Sequence, residues 1–216
     1  MMNLYCISGL GADKRVFAKL DLQDVSMVHF DWPVHDENDT LSSYALKVSA
    51  LIAEDDPVIL GVSFGGMLAV EIAKVRPVKK VVIVSSAKDS SERPFAPWIV
   101  KQVINSGIVP LSFYTWPNIV LYKLFSTETE EDRKLLKNII LDSDARLVKW
   151  AISAILSWDN EVVPDKVVHI HGKVDRMITP RDIQADEWID DGGHMMIYNR
   201  AEQVSSFVQQ QLDNIR

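Results

Sequence analysis

The stretch VILGVSFGGMLAVEIAKVRP, Val58 to Pro77, turns from strand to helix through a corner fenced by glycine. Pro57–Val62 is a continuous apolar run, the pattern of a strand buried on both faces. Met67–Val75 reads as a helix that stops before Pro77. Ser63 stands on the corner, with Gly61 and Gly65 two positions to either side. So sharp a corner forces its central residue into strained backbone angles and makes side chains at the flanking positions collide, which is why glycine stands there. The serine hydroxyl is thereby held out beyond a strand end, where ligands gather in an open parallel sheet. The helix end behind it supplies unpaired N–H groups and a partial positive charge, both favourable to a developing oxyanion. A phosphate cradle of the P-loop kind would want Lys and then Ser or Thr after the last glycine; Met67 and Leu68 stand there instead.

The rest of the chain repeats the alternation. Asn3–Ser8, Val25–Phe30, Lys79–Ser86 and Lys166–Gly172 read as strands, and Asp186–Asp191 as a weaker one. Leu41, Tyr44, Ala45, Val48, Leu51 and Ile52 fall at helical spacing, with Asp39 or Thr40 placed to cap the start. Val204, Phe207, Val208, Gln211, Leu212 and Ile215 share one side of a last helix, which Asn199 and Glu202 would open as a capping box. Alternating apolar strands and helices predict a mostly parallel sheet covered on both faces. From 88 to 160 the rhythm breaks. That region holds no strand pattern, but two helical ones, at Leu135–Ile140 and Leu147–Ile155. We read residues 1–216 as one domain, with 88–160 a helical insertion between two strands.

Serine is a poor nucleophile without a base. Of the five histidines, His29 and His169 fall inside strands, and His35 lies in a polar loop, where solvent is expected around it. His171, just before a strand end, is placed to brace the loop that follows. His194, in DDGGHMM, follows the last strand and precedes the last helix, so it can swing over the strand ends toward Ser63. A base needs an acid to fix its tautomer and stabilise its charged form. Asp175 in HGKVDRMI and Asp89 in SSAKDSS both follow strands. Asp175 gives the chain order serine, aspartate, histidine, and Asp89 gives the same order. Asp175 is favoured because its strand is the more apolar and ends in a His-Gly turn. The oxyanion needs two backbone donors. The N–H of Phe64, after the serine, is one. Leu10, in the glycine-rich loop SGLGAD after the first strand, is the natural second.

Composition excludes several classes. A formal net charge of −7 argues against a general nucleic-acid binder, which needs a basic face. One cysteine, Cys6, permits no internal disulfide and fits a reducing compartment. No apolar run approaches the ~20 residues of a membrane span, and the first residues lack the pattern of a secretion signal. The expected setting is cytoplasmic. Oligomeric state is left open.

Taken together, these motifs resemble the α/β-hydrolase superfamily, in its group of small bacterial enzymes with a lid. ISGLGAD resembles the family's strand-3 loop, GVSFGG its nucleophile elbow, HGKVD its acid loop and GGHMM its histidine loop. Some members carry their acid after the preceding strand, where Asp89 stands, although HGKVD matches the usual acid loop residue for residue. The resemblance covers nearly the whole chain except 88–160, which sits where the family carries its lid. It departs in three places. Ser8-Gly9 replaces a frequent His-Gly. The chain begins at the strand-3 position, so the usual leading hairpin is expected to be missing. The link from Asp175 to His194 has room for a short strand but hardly for the usual helix.

The resemblance implies Ser63 as nucleophile, His194 as base, Asp175 as acid, and Leu10 and Phe64 as oxyanion donors. It implies no metal and no organic cofactor. Because the corner residue is serine, the haloalkane and epoxide chemistry of relatives with an aspartate nucleophile is not expected. The expected activity is hydrolysis of a small or medium carboxylester or thioester through an acyl-enzyme, with a small-molecule substrate and no nucleic acid as partner. The alternative is a ligand receptor, without turnover or with very slow turnover, that keeps the lidded pocket and the triad. An inert structural protein would leave the constellation without a reason. Phe95, Trp98, Phe113, Tyr114, Trp116, Tyr122, Phe125, Trp150 and Trp158 crowd the insertion. About two-thirds of them would pack it onto the body, and the rest would line an apolar pocket. A histidine base must be neutral, so activity is expected to fall on acidification through about pH 6–7.

Overall fold

The computed structural model describes residues 1–94 and 98–216; Phe95 and the side chain of Trp98 lie outside what is described. Six strands form one sheet: β1 (Met2–Ile7), β2 (Val25–His29), β3 (Val58–Val62), β4 (Lys80–Val84), β5 (Val167–Gly172) and β6 (Glu187–Ile189). Their spatial order is β2-β1-β3-β4-β5-β6, and every pairing is parallel. From β1 the chain steps outward to β2, then returns and builds the other way from β3 to β6. The order therefore reverses between β1 and β3, which opens a crevice beyond their C-terminal ends. The loops beginning at Ser8 and Ser63 leave from there.

The helices are α1 (Leu41–Ser49), α2 (Phe64–Val75), α3 (Trp98–Asn105), α4 (Ile119–Leu124), α5 (Glu130–Asp142), α6 (Ala145–Ser157), α7 (Met196–Asn199) and α8 (Ala201–Asp213). Strand side chains alternate between two cores, as a period of two dictates. Tyr5, Ile7, Ile59, Val81, Ile83 and Val167 pack on one face with residues of α1, α2 and α6. Leu4, Cys6, Leu60, Val62, Val82, Val84 and Ile170 pack on the other with Val204, Phe207, Val208 and Leu212 of α8. No helix among the described residues is long and apolar enough to cross a membrane.

The insertion holds more helix than its sequence declares. Besides α5 and α6 it contains α3, which follows Pro97, and α4, only six residues long and too short to show a period. α2 begins at Phe64, directly after Ser63, three residues earlier than its apolar spacing shows. Thr40, not Asp39, caps α1: its hydroxyl accepts the Ser43 N–H, and the Ser43 hydroxyl accepts the Thr40 N–H. Asp39 instead holds Lys47 at 2.6 Å.

The capping box expected at Asn199 and Glu202 does not form. Asn199 is the last residue of α7, its amide donates to the Ser126 carbonyl at 3.3 Å, and α8 opens at Arg200 without a side-chain cap. Between Asp175 and His194 only turns and the three residues of β6 intervene. Just before β6, Asp186 continues the pairing with β5. Its N–H donates to the His169 carbonyl at 2.8 Å, and its carboxylate accepts the His169 N–H at 2.8 Å.

Candidate active site

Ser63 has φ 53° and ψ −121°, a backbone conformation that costs about 1–3 kcal/mol in a non-glycine residue. The surroundings hold it there. Its N–H donates to the Val84 carbonyl at 3.0 Å, and its own carbonyl accepts the Ser86 hydroxyl at 2.7 Å. The flanking glycines are needed for space. A Cβ on Gly61 would lie 2.5 Å from the Gly65 carbonyl oxygen. A Cβ on Gly65 would lie 2.3 Å from the carbonyl oxygens of both Ile7 and Ser8. Close packing of the α2 start on the β1 end is what brings the loop after β1 beside Ser63: a Cβ on Gly9 would lie 3.6 Å from the Ser63 Cβ.

His194 Nε2 lies 3.0 Å from Ser63 Oγ, and His194 Nδ1 lies 2.9 Å from Asp175 Oδ2. An ionised carboxylate only accepts, so Nδ1 carries the proton and Nε2 turns a lone pair to the serine. Asp175 Oδ1 accepts the N–H groups of Met177 at 2.8 Å and Ile178 at 2.9 Å. Asp175 and His194 are buried. Burial works to raise the Asp175 carboxyl. The attraction of His194 and the hydrogen bond from it, aided by the Ile178 N–H, outweigh that and hold it below the ordinary carboxylate value. Asp89 lies elsewhere, its Oδ1 accepting the N–H and hydroxyl of Ser91 at 2.8 and 2.6 Å.

The histidine loop rests on the insertion. A Cβ on Gly193 would lie 2.2 Å from the Ser126 Cβ, the Met195 N–H donates to the Phe125 carbonyl at 3.1 Å, and the Phe125 ring meets the His194 ring edge-on at 5.2 Å. The loop after β1 rests on it too. Its turn is closed by the Ala12 N–H on the Gly9 carbonyl at 2.9 Å and by the Ser8 hydroxyl on the Ala12 carbonyl at 2.7 Å. From the α5–α6 junction, the Ser143 hydroxyl lies 2.7 Å from the Gly11 carbonyl. Leu10 sits in this turn. Phe64, as the first residue of α2, has an N–H without an intrahelical acceptor.

Ser63 and His194 open into a cavity of about 380 Å³ lined by Leu10, Val16, Leu121, Phe125, Ile140, Ile152 and Met177, among others. Of the insertion's aromatics, Tyr114 and Phe125 line it. Trp150 and Trp158 are buried in the core, their indole N–H groups donating to the Asp39 carbonyl at 3.0 Å and to Glu71 at 2.7 Å. Phe113 and Trp116 are exposed. Tyr122 packs against the core on the α8 side. A wider groove of about 1050 Å³ lies alongside, and Ala12 and Ser143 line both spaces. His35, expected in solvent, stacks on Trp150 there at 5.1 Å. Among the described residues no group of three His, Cys, Asp or Glu side chains could hold a metal ion.

Two supports escaped the sequence: Ser86 and Ser143 carry no motif. His171 braces the loop after its strand, as expected, through the Ile178 carbonyl at 2.9 Å. Its link to His169 was missed, although a spacing of two on a strand puts both on one face. They are buried and linked, His169 Nε2 to His171 Nδ1 at 3.1 Å.

A sequence model described as the Alpha/beta hydrolase family matches residues 4–207. No curated protein sequence matches the chain. Solved structures do. An esterase from Thermogutta terrifontis is 14% identical with a TM-score of 0.76, over 100% of this chain and 90% of that one. A hydrolase from Oleispira antarctica is 15% identical with a TM-score of 0.79, over 99% and 92%. An esterase from Exiguobacterium antarcticum is 14% identical with a TM-score of 0.74, over 100% and 92%. At such identities the likeness is one of fold.

Proposed function

The chain belongs to the alpha/beta hydrolase family, and from that premise we propose that it is a serine hydrolase of small or medium carboxylesters or thioesters. One observation carries the reading: an unbroken hydrogen-bonded line from Ser63 Oγ through His194 to Asp175, at 3.0 and 2.9 Å, at the floor of an apolar cavity. Ser63 Oγ attacks the substrate carbonyl carbon while His194 Nε2 takes its proton. The oxyanion is met by the N–H groups of Phe64 and Leu10. His194 then returns the proton to the leaving alcohol or thiol as the acyl–oxygen or acyl–sulfur bond breaks. Water, deprotonated by the same nitrogen, attacks the acyl-enzyme and releases the acid. Asp175 holds the tautomer and balances the imidazolium. Nothing in this sequence of steps calls for a metal or an organic cofactor.

The cavity supports the substrate class. Its volume of about 380 Å³ falls at the small end of the range for ligand pockets, about 300–1,000 Å³. Its apolar lining suits an uncharged acyl or aromatic group better than a peptide or sugar polymer. α3–α6 form the lid, since the loops of His194 and Leu10 both rest on that segment.

A fluorophosphonate probe tests the reading. Covalent labelling of the wild type, its loss in Ser63→Ala, and rapid turnover of short p-nitrophenyl esters are expected. Labelling without turnover of any ester or thioester would favour a ligand receptor. A substrate panel led by a protein or polysaccharide would overturn the substrate class.

A further inference from the structure

We propose that His171 is a positioning residue for the site, setting the turn that carries Asp175; the inference rests on the reading of Ser63, His194 and Asp175 just given. The Ile178 carbonyl can only accept, so His171 Nε2, 2.9 Å away, carries a hydrogen. A neutral His171 then has a bare Nδ1, and His169 Nε2 must donate to it across 3.1 Å. That leaves His169 Nδ1 bare. Among the described residues it has no hydrogen-bond partner, and Glu92 Oε2 lies 3.9 Å off. With both rings neutral, one arrangement of protons satisfies the chain. Burial favours that state by pushing both imidazoles below their ordinary values, His169 well below.

Ile178 passes the constraint to the acid. His171 holds its carbonyl, and its N–H donates to Asp175 Oδ1 at 2.9 Å. His171 Nε2 also lies 3.7 Å from Asp175 Oδ2, the oxygen that accepts the proton of His194. That is too long for a hydrogen bond. It is close enough for a positive charge on His171 to compete with His194 for the carboxylate. A neutral His171 leaves the charge of Asp175 to His194. The other groups facing His171 are His169 on its own strand and the Trp188 ring of β6, edge-on at 5.8 Å. Glu92 and Lys88 act on the pair from beyond His169.

Imidazole nitrogen NMR on the wild type is the first test. His171 is expected to stay neutral, protonated on Nε2, from pH 8 to below the free-imidazole pKa of about 6.5. A cationic His171 at pH 7, or a proton on Nδ1 alone, would overturn the proposal even if no variant folds. The second test compares His171→Phe, which keeps a ring but no nitrogen, with His171→Gln, whose amide can donate to Ile178 and accept from His169. His171→Phe is expected to lose about ten- to a hundred-fold in kcat, the scale of an ångström's misplacement, with KM within about twofold. The acid limb of kcat/KM moves to lower pH, because a displaced Asp175 stabilises the His194 imidazolium less. His171→Gln recovers most of kcat. A folded His171→Phe with unchanged kcat and acid limb would sink the idea. So would equal losses in both variants that track their melting temperatures. Fluorophosphonate labelling separates the two levels. A wild type that does not label loses the reading of the site, whereas one that labels beside an unaffected His171→Phe loses this inference alone.

Discussion

Replacing Asp175 by Asn alters chemistry at almost no cost in volume. Asp175 Oδ1 accepts two N–H groups, from Met177 and Ile178, at 2.8 and 2.9 Å. An asparagine must therefore put its carbonyl oxygen there, since an NH₂ would face two donors. Its NH₂ then points at His194 Nδ1, which lies 2.9 Å from the present Oδ2. Only a bare Nδ1 can accept it. The imidazole proton is driven to Nε2, facing Ser63 Oγ, and the site has no base. The expected loss in kcat is up to about 10⁴-fold, the size of the tautomer effect in a serine protease. The fold survives, because two hydrogen bonds are kept and the third reverses; the stability cost is about 1–3 kcal/mol. Initial rates on p-nitrophenyl butyrate and urea midpoints on the same preparations measure both. Asp89→Asn is the control. Among the described residues its carboxylate accepts hydrogen bonds from Ser91 alone, so a loss under about tenfold is expected. A folded Asp175→Asn that loses less than about tenfold, or a larger loss in Asp89→Asn, would refute the tautomer argument.

Gly65→Ala forces a methyl to 2.3 Å from two backbone oxygens of the β1 end, so stability falls by about 3 kcal/mol or more, read as a lower urea midpoint; a midpoint equal to wild type contradicts the packing described. Stability also falls with acid. The folded-state pKa values of His169 and His171 lie below the unfolded value of about 6.5, so the unfolded chain takes protons that the folded one refuses. This contribution is complete above about pH 6.5 and is lost as pH drops. Glu92, raised by burial against the N–H groups of Lys88 and Gln184, works the other way as pH rises through about 4.5, and Asp175, held low, adds loss below about pH 4. Urea midpoints level between pH 7 and 5 would contradict neutral buried histidines. Burial pushes the Cys6 thiol far above its ordinary value, so Ellman's reagent reacts only on unfolding; prompt reaction of the native protein would place Cys6 near solvent.

The inner strands β3, β4 and β5 were legible because they are buried on both faces and so read as apolar runs, whereas the edge strands β2, half-buried, and β6, three residues long, carry a weaker signal. The corner at Ser63 was legible for a steric reason, since few residues besides glycine fit at 61 and 65. The insertion was half legible. α5 and α6 run 13 residues each and show a period, whereas α4 has six and α3 follows a proline that reads as a break. Asn199 misled because a capping signature is local, and the competing helix α7 used the same residue as its end. Ser86 and Ser143 could not be found, since a lone serine that holds a distant carbonyl leaves no mark on its neighbours. The paired histidines of β5 were visible as residues, but their proton chain depends on Ile178, seven positions beyond His171.

The edge of the sheet at β6 bears on how this protein behaves when crowded. A bare strand edge is a template for a second chain and the usual starting point of fibrils. Here β6 is three residues long, and the Asp186 carboxylate has already taken the next backbone N–H of β5. A neighbour trying to add a strand would find a ladder too short to hold it. It would also meet Asp186, Glu187, Asp190 and Asp191, acids that a second copy would bring against their own kind. Concentrated or briefly heated samples therefore lack a route to edge-to-edge association through β6, and aggregates that form under stress must begin from other exposed surface.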